Sequence, residues 1–392
     1  MRVKLKEIAD FVNGRAFKSS EWSDQGLPII RIQNLNDADK PFNYFEGEYD
    51  QKNYIQSGDT LLSWSGTPGT SFGCFKWNRE NGLLNQHIFK VQLKSEKVDQ
   101  DYFIQAVNKN LNILIDQAHG GVGLKHITKG KLNEVSIYLP PIEQQKKIAA
   151  ILDTADGYRQ KTKALIAKYD ELTQSLFLDM FGDPVTNPKG WERMKIGQAL
   201  EEGYILKIQD GNHGEIHPKS NDFLKEGTPM IFANNLTNNY LNYEGGHHLS
   251  EETVNGLRIG FSKGGDVLLT HKGSIGLSDV VPKSVELLIL SPQVTYYRIE
   301  MEILNPVYMK FYFLSQYFFR QLEKLGKQST RAYVGITKQR LLPLIIPEIS
   351  LQNQFAESVQ AIEAQKAQAQ ESLAKAEDLF NSLLQKAFKG GL

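Results

Sequence analysis

The chain has 392 residues, 41% of them hydrophobic, and its 45 basic residues balance its 45 acidic ones. Such a chain is long enough for two or three domains with cores of their own, and its composition excludes a disordered protein. The zero net charge argues against a free-standing nucleic-acid binder, although a local basic face remains open. A single cysteine, Cys74, excludes an internal disulfide and a zinc ribbon.

No apolar run approaches the length of a membrane span. The start, MRVKLKEIADF, also lacks the apolar core and the cleavage site of a signal peptide. We therefore expect a soluble, cytoplasmic protein that makes no membrane contact.

The first part of the chain combines short strand-like runs with Gly and Asn turns. The runs of β-type composition are LPIIRI (27–32), DTLLSW (59–64) and HIFKVQL (87–93), and a short helical stretch lies near DYFIQAVNKN (101–110). This pattern predicts a mixed α/β domain over residues 1–141.

A long helix is predicted over residues 142–181. It starts within LPPIEQQKKIAAIL, where Pro140 and Pro141 suit a first helical turn and block a helix that arrives from upstream. Glu143 then lies in the first turn, where the helix dipole favours an anion. The helix ends within MFGDPVTNPKGW (180–191), whose glycines and prolines are typical of a linker.

The second half of the chain repeats the first. In order along the chain, GDVLLTHKGSIG resembles GDTLLSWSGTPG, Gln293 falls opposite Gln86, and ITKQRLLPLIIPEISLQNQF resembles ITKGKLNEVSIYLPPIEQQK, each about 207 residues later. Matches in one order at nearly one offset indicate a duplication. We therefore predict a linker and a second mixed α/β domain over 182–348, and a second long helix over 349–392.

Each long helix carries an apolar stripe whose spacings alternate between three and four residues. This period predicts a left-handed coiled-coil seam, and the other helix of the same chain is the nearest partner. The predicted seam consists of Ile148, Ile151, Ala155, Tyr158, Leu165, Tyr169, Leu172, Leu176, Phe355, Val359, Ile362, Ala369, Leu373, Ala376, Phe380 and Leu383. Lys366 is a charged member of the second stripe, as expected of a residue that sets register. Two separate surface helices, each lying on its own domain, remain the alternative.

An enzyme would carry a recognisable set of catalytic residues, and the sequence lacks one. There is no dinucleotide-binding fingerprint, no GxxxxGK[ST] phosphate loop and no Asn/Asp-Pro-Pro-aromatic stretch of an adenine methylase. His213 and His217 have metal-ligand spacing, but Gly214 and Pro218 break any helix there. We predict neither a catalytic site nor a metal site.

The repeated loops are instead rich in side chains that suit DNA. Asn and Gln can pair with adenine edges, Arg and Lys with guanine edges, and Ser and Thr with phosphates. The candidates are Arg15, Lys18, Gln33, Asn34, Trp64, Ser65, Thr67, Lys76, Gln86, His87, Lys125 and His126 in the first half, and Asn234, Asn235, His271, Lys272, Ser274, Lys327, Gln328, Arg331 and Lys338 in the second. Polar loop residues also cap turns, so a structural role remains open for each.

Four stretches carry a family resemblance, namely GRAFKSSEWSDQGLPIIRIQNLN (14–36), GDTLLSWSGTPG (58–69), LPPIEQQKKIAAIL (139–152) and LFLDMFGDPVTNPKGWE (176–192). In these stretches, and in its order of domain, helix, domain and helix, the chain resembles the specificity subunits of type I restriction–modification systems. The second helix start departs from the pattern, with Glu348 where the first has Pro141.

The resemblance implies an α+β fold with two target recognition domains, each of which reads one half of a bipartite DNA target. It implies that the two long helices form an antiparallel coiled coil with internal pseudo-two-fold symmetry, which sets the spacer and docks two methylase (M) subunits. The methylase partner would carry S-adenosylmethionine and the restriction/translocase (R) partner ATP and Mg, with no cofactor and no catalytic activity in this chain. The alternative is a tandem-domain coiled-coil scaffold that binds peptide or carbohydrate rather than DNA.

Overall fold

The computed structural model describes residues 1–37, 39–66, 72–110, 115, 125–214, 216–326, 332–389 and 391. The chain divides into two compact units, Met1–Lys163 with Gln370–Leu392, and Ala164–Ala369. Each unit contains a mixed α/β region and about half of each long helix. Among the described helices, none combines the length and the hydrophobicity that a membrane crossing requires.

In the first unit the mixed α/β region precedes the first long helix. Its strands are β1 (Arg2–Lys4), β2 (Ala9–Asn13), β3 (Leu27–Ile30), β4 (Asn43–Phe45), β5 (Tyr54–Ile55), β6 (Thr60–Ser63), β7 (Ser65–Gly66), β8 (Gly73–Lys76), β9 (Gly82–Leu84), β10 (Ile88–Leu93), β11 (Lys125–His126) and β12 (Ser136–Tyr138). Its helices are α1 (Leu5–Ile8), α2 (Ile32–Asn36), α3 (Gln100–Lys109) and α4 (Lys129–Glu134), followed by the long helix α5 (Ile142–Phe181). Helix α5 begins directly after Pro141, where the two prolines predict its start.

Two four-stranded sheets form most of this region. One is antiparallel, in the order β2-β10-β6-β8, and the other, β4-β3-β9-β5, contains the parallel pair β3 and β9. Phe11 and Phe89 of the antiparallel sheet share one buried core with Phe103 of α3 and Ile148 of α5. Burial of apolar surface therefore joins this sheet to α3 and to the start of the long helix.

The second unit has a mixed α/β region of the same kind before its own long helix. Its strands are β13 (Glu192–Lys195), β14 (Ile205–Asp210), β15 (Thr228–Ile231), β16 (Leu236–Thr237), β17 (Tyr240–Leu241), β18 (His247–Leu249), β19 (Phe261–Ser262), β20 (Val267–Thr270), β21 (Ser278–Val280), β22 (Leu288–Leu290), β23 (Val294–Ile299) and β24 (Pro343–Ile346). Its helices are α6 (Ile196–Glu201), α7 (Glu251–Asn255), α8 (Pro306–Leu314), α9 (Gln316–Gly326), α10 (Ile336–Gln339) and the long α11 (Ile349–Lys389).

The main sheets of the second unit repeat those of the first. Their orders are β14-β23-β20-β21 and β18-β15-β22-β19, with β15 and β22 parallel. The two-stranded sheet β13-β24 likewise matches β1-β12. The predicted duplication is therefore confirmed as a repeat of the fold, and so is the predicted α+β class with a long helix after each mixed region.

The structure corrects one detail of the predicted repeat. Trp64 and His271 follow equivalent strands, and their backbone N–H groups donate to the carbonyl oxygens of His87 (3.4 Å) and Gln293 (3.0 Å). Gln293 therefore takes the place of His87, and the predicted pairing of Gln293 with Gln86 is wrong by one residue. The cause is that the chain between β20 and β23 is one residue shorter than the chain between β6 and β10.

The two long helices run antiparallel within the first unit. Ile148, near the start of α5, shares a core with Ala387, near the end of α11. Further along α5, the Arg159 guanidinium lies 4.4 Å from the centre of the Phe380 ring, which comes earlier in α11. Contacts that advance along one helix and retreat along the other show the antiparallel direction.

The same direction is found within the second unit. The Lys366 ammonium pairs with the Asp170 carboxylate at 2.5 Å, and the Phe177 ring packs edge-on against the Phe355 ring at 5.7 Å. The side chain of Lys366 is only 18% exposed. The charged residue predicted in the seam thus lies at the contact between the two helices.

The inward face of α5 differs from the predicted seam in the middle of the helix. Tyr158, Leu165 and Leu172 are 54%, 43% and 49% exposed, whereas Thr173, which lies outside the predicted seam, is buried. These three exposed residues recur every seven positions and so share one helix face at the edge of the contact, where the Tyr158 hydroxyl still lies 2.7 Å from the hydroxyl of Ser372 in α11. The other predicted seam residues are buried or half-buried, namely Ile148, Ile151, Ala155, Tyr169, Leu176, Phe355, Val359, Ile362, Ala369, Leu373, Ala376, Phe380 and Leu383.

Candidate nucleic-acid interface

Equivalent loops follow the strands β6 and β20 in the two units. In the first unit Ser65 pairs with His126 in the short ladder of β7 and β11. In the second unit Lys272 forms an isolated bridge with Tyr333 in the same relation. The residues predicted around Ser65 and those predicted around Lys272 therefore lie at the same end of equivalent sheets.

At this end of the second unit a cation and an aromatic ring are both exposed. Lys272 and Ser274 are open to solvent, and Tyr333 is 46% exposed. The Lys272 ammonium lies 5.9 Å from the centre of the Tyr333 ring. A cation held over a ring that is open to solvent can meet a phosphate or a base.

His271, beside this pair, is buried in a polar network. Its Nδ1 lies 2.8 Å from the Thr295 hydroxyl, which donates to Asp210 Oδ1 at 2.7 Å and accepts from Gln339 Nε2 at 3.0 Å. Since the one hydroxyl proton goes to the carboxylate, the Nδ1–H of His271 donates to Thr295. Burial lowers the pKa of His271, although the Asp210 charge opposes that shift. At 1% exposure, His271 supports the loop from beneath and presents no free edge to a ligand.

In the first unit Trp64, Gln86 and His87 form a half-buried cluster. The Trp64 ring stacks on Phe89 with centres 5.5 Å apart and lies 5.6 Å from the His87 ring. Nε2 of Gln86 and Nε2 of His87 are 3.1 Å apart. The structure thus brings these three predicted residues together, mainly through contacts with one another and with the sheet.

Asn34 and Asn235 play the same local role in both units. Each accepts the backbone N–H three residues upstream, at 3.1 Å and 2.9 Å, and donates to a downstream carbonyl oxygen, that of Lys40 at 3.0 Å or Asn242 at 3.1 Å. The two side chains are 3% and 8% exposed. The amide groups predicted to read bases therefore also close a turn.

Arg15 is held by neighbours in the first unit. Its guanidinium forms an ion pair with Glu21 and lies 4.8 Å and 4.7 Å from the centres of the Phe17 and Phe45 rings. These contacts hold the group in one orientation and neutralise part of its charge. Lys18, close by in sequence, is exposed.

The remaining candidates are paired, exposed or outside the described residues. Lys76 forms an ion pair at 3.0 Å, and Lys338 donates to a backbone carbonyl at 3.1 Å. Gln33 is half-buried and Asn234 is exposed. The structure does not describe Thr67, Lys327, Gln328 and Arg331, and it describes only the backbone of Lys125 and His126.

The sequence reasoning missed several residues that hold this architecture. Asp210 and Thr295 support the second-unit loop, but as strand residues they carry no motif that would have revealed them. Gln145 and Gln352 are both 0% exposed and stand at the same place in the two halves. Their recurrence within the repeat was the signal that would have found them.

Within the described ranges, no group of three or more His, Cys, Asp or Glu side chains is arranged to hold a metal ion. Cys74 is buried, and burial raises the pKa of its thiol. The thiol therefore stays protonated and is a poor nucleophile.

Comparison with known proteins gives consistent matches. Residues 1–169 match the family model of the type I restriction modification DNA specificity domain. The chain is 23% identical to the type I restriction enzyme EcoBI specificity subunit of Escherichia coli, an alignment that covers 100% of this chain and 86% of that protein. The resemblance to type I specificity subunits is confirmed.

Other type I specificity subunits extend the match. The MjaVIII specificity subunit of Methanocaldococcus jannaschii is 22% identical, over 92% of this chain and 85% of that one. The crystal structure of the type I S subunit from M. genitalium superposes with a TM-score of 0.61 at 14% identity, over 99% of this chain and 96% of that one. At that identity the structural likeness concerns the fold alone.

Proposed function

We propose that the chain is the DNA sequence-recognition subunit of a type I restriction–modification complex and has no catalytic role of its own. Each mixed α/β region reads one half of a bipartite double-stranded DNA target, and the two long helices set the spacer between the halves. The observation that carries this proposal is the repeat of one fold, each copy with a polar loop at the same end of its antiparallel sheet. A reader built twice suits a split site.

Within that function, we assign direct DNA contact first to the exposed candidates. These are Lys18, Lys76, Asn234, Lys272 and Ser274. We assign the buried candidates Asn34, Asn235 and His271 to the support of the reading loops, since a buried amide or imidazole must give up its present partners before it meets a base.

We propose that methylase subunits dock on an outward apolar stripe of α5. Ile151, Tyr158, Leu165 and Leu172 recur every seven residues and so share one helix face. In the first unit this face opens into a groove of about 910 Å³ between α5 and α11, whose other wall includes Leu379, 56% exposed. A helix of the methylase would complete a bundle by covering this groove.

In this proposal the partners carry the chemistry. The methylase subunits bring S-adenosylmethionine, and the restriction/translocase subunits bring ATP and Mg. The complex works in the cytoplasm, where its DNA lies. The relatives named above are described as specificity subunits, and none of them is described as a binder of peptide or carbohydrate.

The test is co-expression of this chain with its cognate methylase, followed by sequencing of the methylated genome. We expect methylation at one bipartite sequence with a spacer of constant length, and none when either protein is expressed alone. A continuous methylated motif, or no motif at all, contradicts the proposal. Duplex binding must also weaken steeply with salt, because phosphate contacts release counterions.

The docking surface has its own test. The double variant Leu165→Ser, Leu172→Ser should leave the thermal unfolding of the free chain nearly unchanged, because both side chains are exposed. It should reduce methylase binding in a pull-down and in calorimetry. Gln174→Ser, an exposed substitution on the same helix, is the control and should leave binding unchanged. Equal binding by both variants contradicts docking on this stripe.

A further inference from the structure

A buried glutamine near the start of α5 bonds three backbone groups at once. Gln145 is 0% exposed. Its Nε2 donates to the carbonyl oxygens of Pro140 and Lys97, both at 2.8 Å, and its Oε1 accepts the backbone N–H of Asp99 at 2.9 Å. The side chain thus ties the first turns of the long helix to the segment that leads into α3.

The start of α11 has the same arrangement. Gln352 is 0% exposed. Its Nε2 donates to the carbonyl oxygens of Pro347 at 2.7 Å and Ile303 at 3.1 Å, and its Oε1 accepts the backbone N–H of Asn305 at 2.8 Å. The same residue makes the same bonds in two halves whose loops differ, which indicates a role that both halves share.

Helix α3 carries this connection on to the antiparallel sheet of the first unit. Asp99 donates its backbone N–H to Gln145, and its carboxylate accepts the backbone N–H of Tyr102, which caps the N-terminus of α3. Gln100 donates to the hydroxyl of Thr60 in β6 at 2.7 Å. Asn108 bonds both backbone groups of Cys74 in β8, at 2.8 Å and 2.9 Å. Hydrogen bonds therefore lead from α5 through α3 to β6 and β8, the strands before and after the reading loop.

The glutamine side chain matches the three backbone groups around it. It offers two N–H donors and one acceptor to two carbonyl oxygens and one N–H. A glutamate at position 145 would set a buried charge against the carbonyl oxygens of Pro140 and Lys97. A methionine would keep the volume but leave three buried backbone groups without partners. The substitution Gln145→Met therefore removes the hydrogen bonds and keeps the packing volume.

We propose that Gln145 and Gln352 are positioning residues that set the direction in which each long helix leaves its mixed α/β region. This inference rests on the proposed function for its consequence, which concerns the spacer. The two glutamines determine how strictly the complex discriminates between spacer lengths, while the half-site sequences are read elsewhere. Loss of either glutamine lets the long helix move relative to the mixed α/β region that precedes it. The two regions can then bind their half-sites at a wider range of spacer lengths.

The first experiment measures methylation by the complex of the full chain with its cognate methylase. The substrates are plasmids that carry the two half-sites at the native spacer and at spacers one base pair shorter and longer. We expect Gln145→Met and Gln352→Met each to raise methylation at the altered spacers relative to the native one by about fivefold or more, the scale on which one or two lost hydrogen bonds act. The half-site sequences should stay the same.

The matched controls are Gln160→Ala and Gln354→Ala, which remove exposed glutamines of α5 and α11. They should keep the native spacer ratio. A loss of methylation that is equal at all spacers, with the ratio unchanged, overturns the proposal because a purely structural role predicts that outcome. Should Gln145→Met fail to fold, Gln145→Asn keeps the amide, shortens the side chain by one methylene and carries the same expectation.

A second experiment needs no DNA and so separates the failure of this inference from the failure of the proposed function. Spin labels are placed at Lys109→Cys and Lys161→Cys, two exposed positions on α3 and α5, while the buried Cys74 stays unlabelled. Pulsed electron resonance then gives the distance distribution in the free chain. It should broaden in Gln145→Met and stay unchanged in Gln160→Ala. An unchanged distribution in Gln145→Met overturns the inference, whatever the DNA result.

Discussion

At the scale of the residue, burial decides which polar side chains are free to meet a ligand. Lys272 and Ser274 are exposed, whereas His271, their neighbour in sequence, is 1% exposed and bonded to Thr295. Asn34, in the short helix α2, is likewise only 3% exposed. A buried polar group that loses its hydrogen-bond partner lowers the stability of the fold. Buried polar residues therefore maintain the local conformation, whereas exposed ones are available to a ligand.

The first prediction concerns Asn34. Asn34→Ala leaves the backbone N–H of Arg31 and the carbonyl oxygen of Lys40 without their side-chain partner. We expect the free energy of unfolding to fall by about 1–3 kcal/mol, measured by urea denaturation. Asn36→Ala, an exposed position in the same helix, is the control and should change it by less than about 0.5 kcal/mol. Equal effects of the two substitutions would contradict the structural role of Asn34.

The second prediction concerns pH. Burial lowers the pKa of His271 in the folded state below its ordinary value of 6.5. As the pH falls below 6.5, the imidazole at position 271 binds a proton in the unfolded chain but not in the folded one. The stability that the neutral His271 contributes is therefore complete above pH 6.5 and is lost as the pH falls toward the folded-state pKa. The difference in unfolding free energy between the protein and His271→Gln should therefore be smaller at pH 5.5 than at pH 7.5. A difference that grows on acidification would show that the pKa is raised instead.

At the scale of the element, the long helix α5 carries apolar residues on two of its faces. One face of α5 packs against α11, as Phe177 packs against Phe355, and another carries the exposed Leu165 and Leu172. A helix with apolar residues on two faces is typical of one that has two kinds of neighbour. Both stripes have nearly the same period, and the sequence alone cannot say which of them faces the other helix of the chain.

The third prediction concerns the charged pair in the helix contact. Asp170 is 55% exposed, so its ion pair with Lys366 is partly screened by solvent. Asp170→Asn should lower the free energy of unfolding by no more than about 1 kcal/mol. Lys366→Leu should not lower it, because an apolar side chain packs well at a seam position. Thermal unfolding measures both variants, and a larger loss in Lys366→Leu than in Asp170→Asn would contradict this view of the pair.

At the scale of the whole molecule, the chain contains one mixed α/β fold twice, and a long helix follows each copy. A reader that is built twice needs a connection of defined length between its copies. A helix supplies that length at about 1.5 Å for each residue. The spacer of the proposed DNA target should therefore respond to the number of residues in the helices.

The fourth prediction follows from that length. Seven residues are inserted between Lys163 and Ala164 of α5, and seven between Ala369 and Gln370 of α11, so that the heptad phase is kept. The insertion adds about 10 Å, and the spacer should lengthen by up to about three base pairs with both half-sites unchanged. Sequencing of the methylated genome measures the new spacer. An unchanged spacer with full activity would contradict a measuring role of the helices.

Much of this organisation could be predicted from the chain alone. The prolines before Ile142 marked the start of α5, and the repeat at about 207 residues indicated two copies of one fold. These features are local or periodic. A proline ring restricts the backbone beside it, and a recurring apolar pattern favours a helix or a strand, whatever the rest of the chain does. Domain order and helix positions therefore follow from residues close together in sequence.

Which polar residues are free, and which are bound, was decided only by the tertiary structure. Nothing within a few residues of Asn34 or His271 shows that Lys40 or Asp210 will take up their polar atoms. The same holds for Gln145, whose partner Asp99 lies far upstream in the chain. Hydrogen bonds between residues distant in sequence exist only once the sheets and helices are assembled. The sequence determined the elements and their repetition, and the folded chain decided which polar side chains stay exposed to meet a ligand.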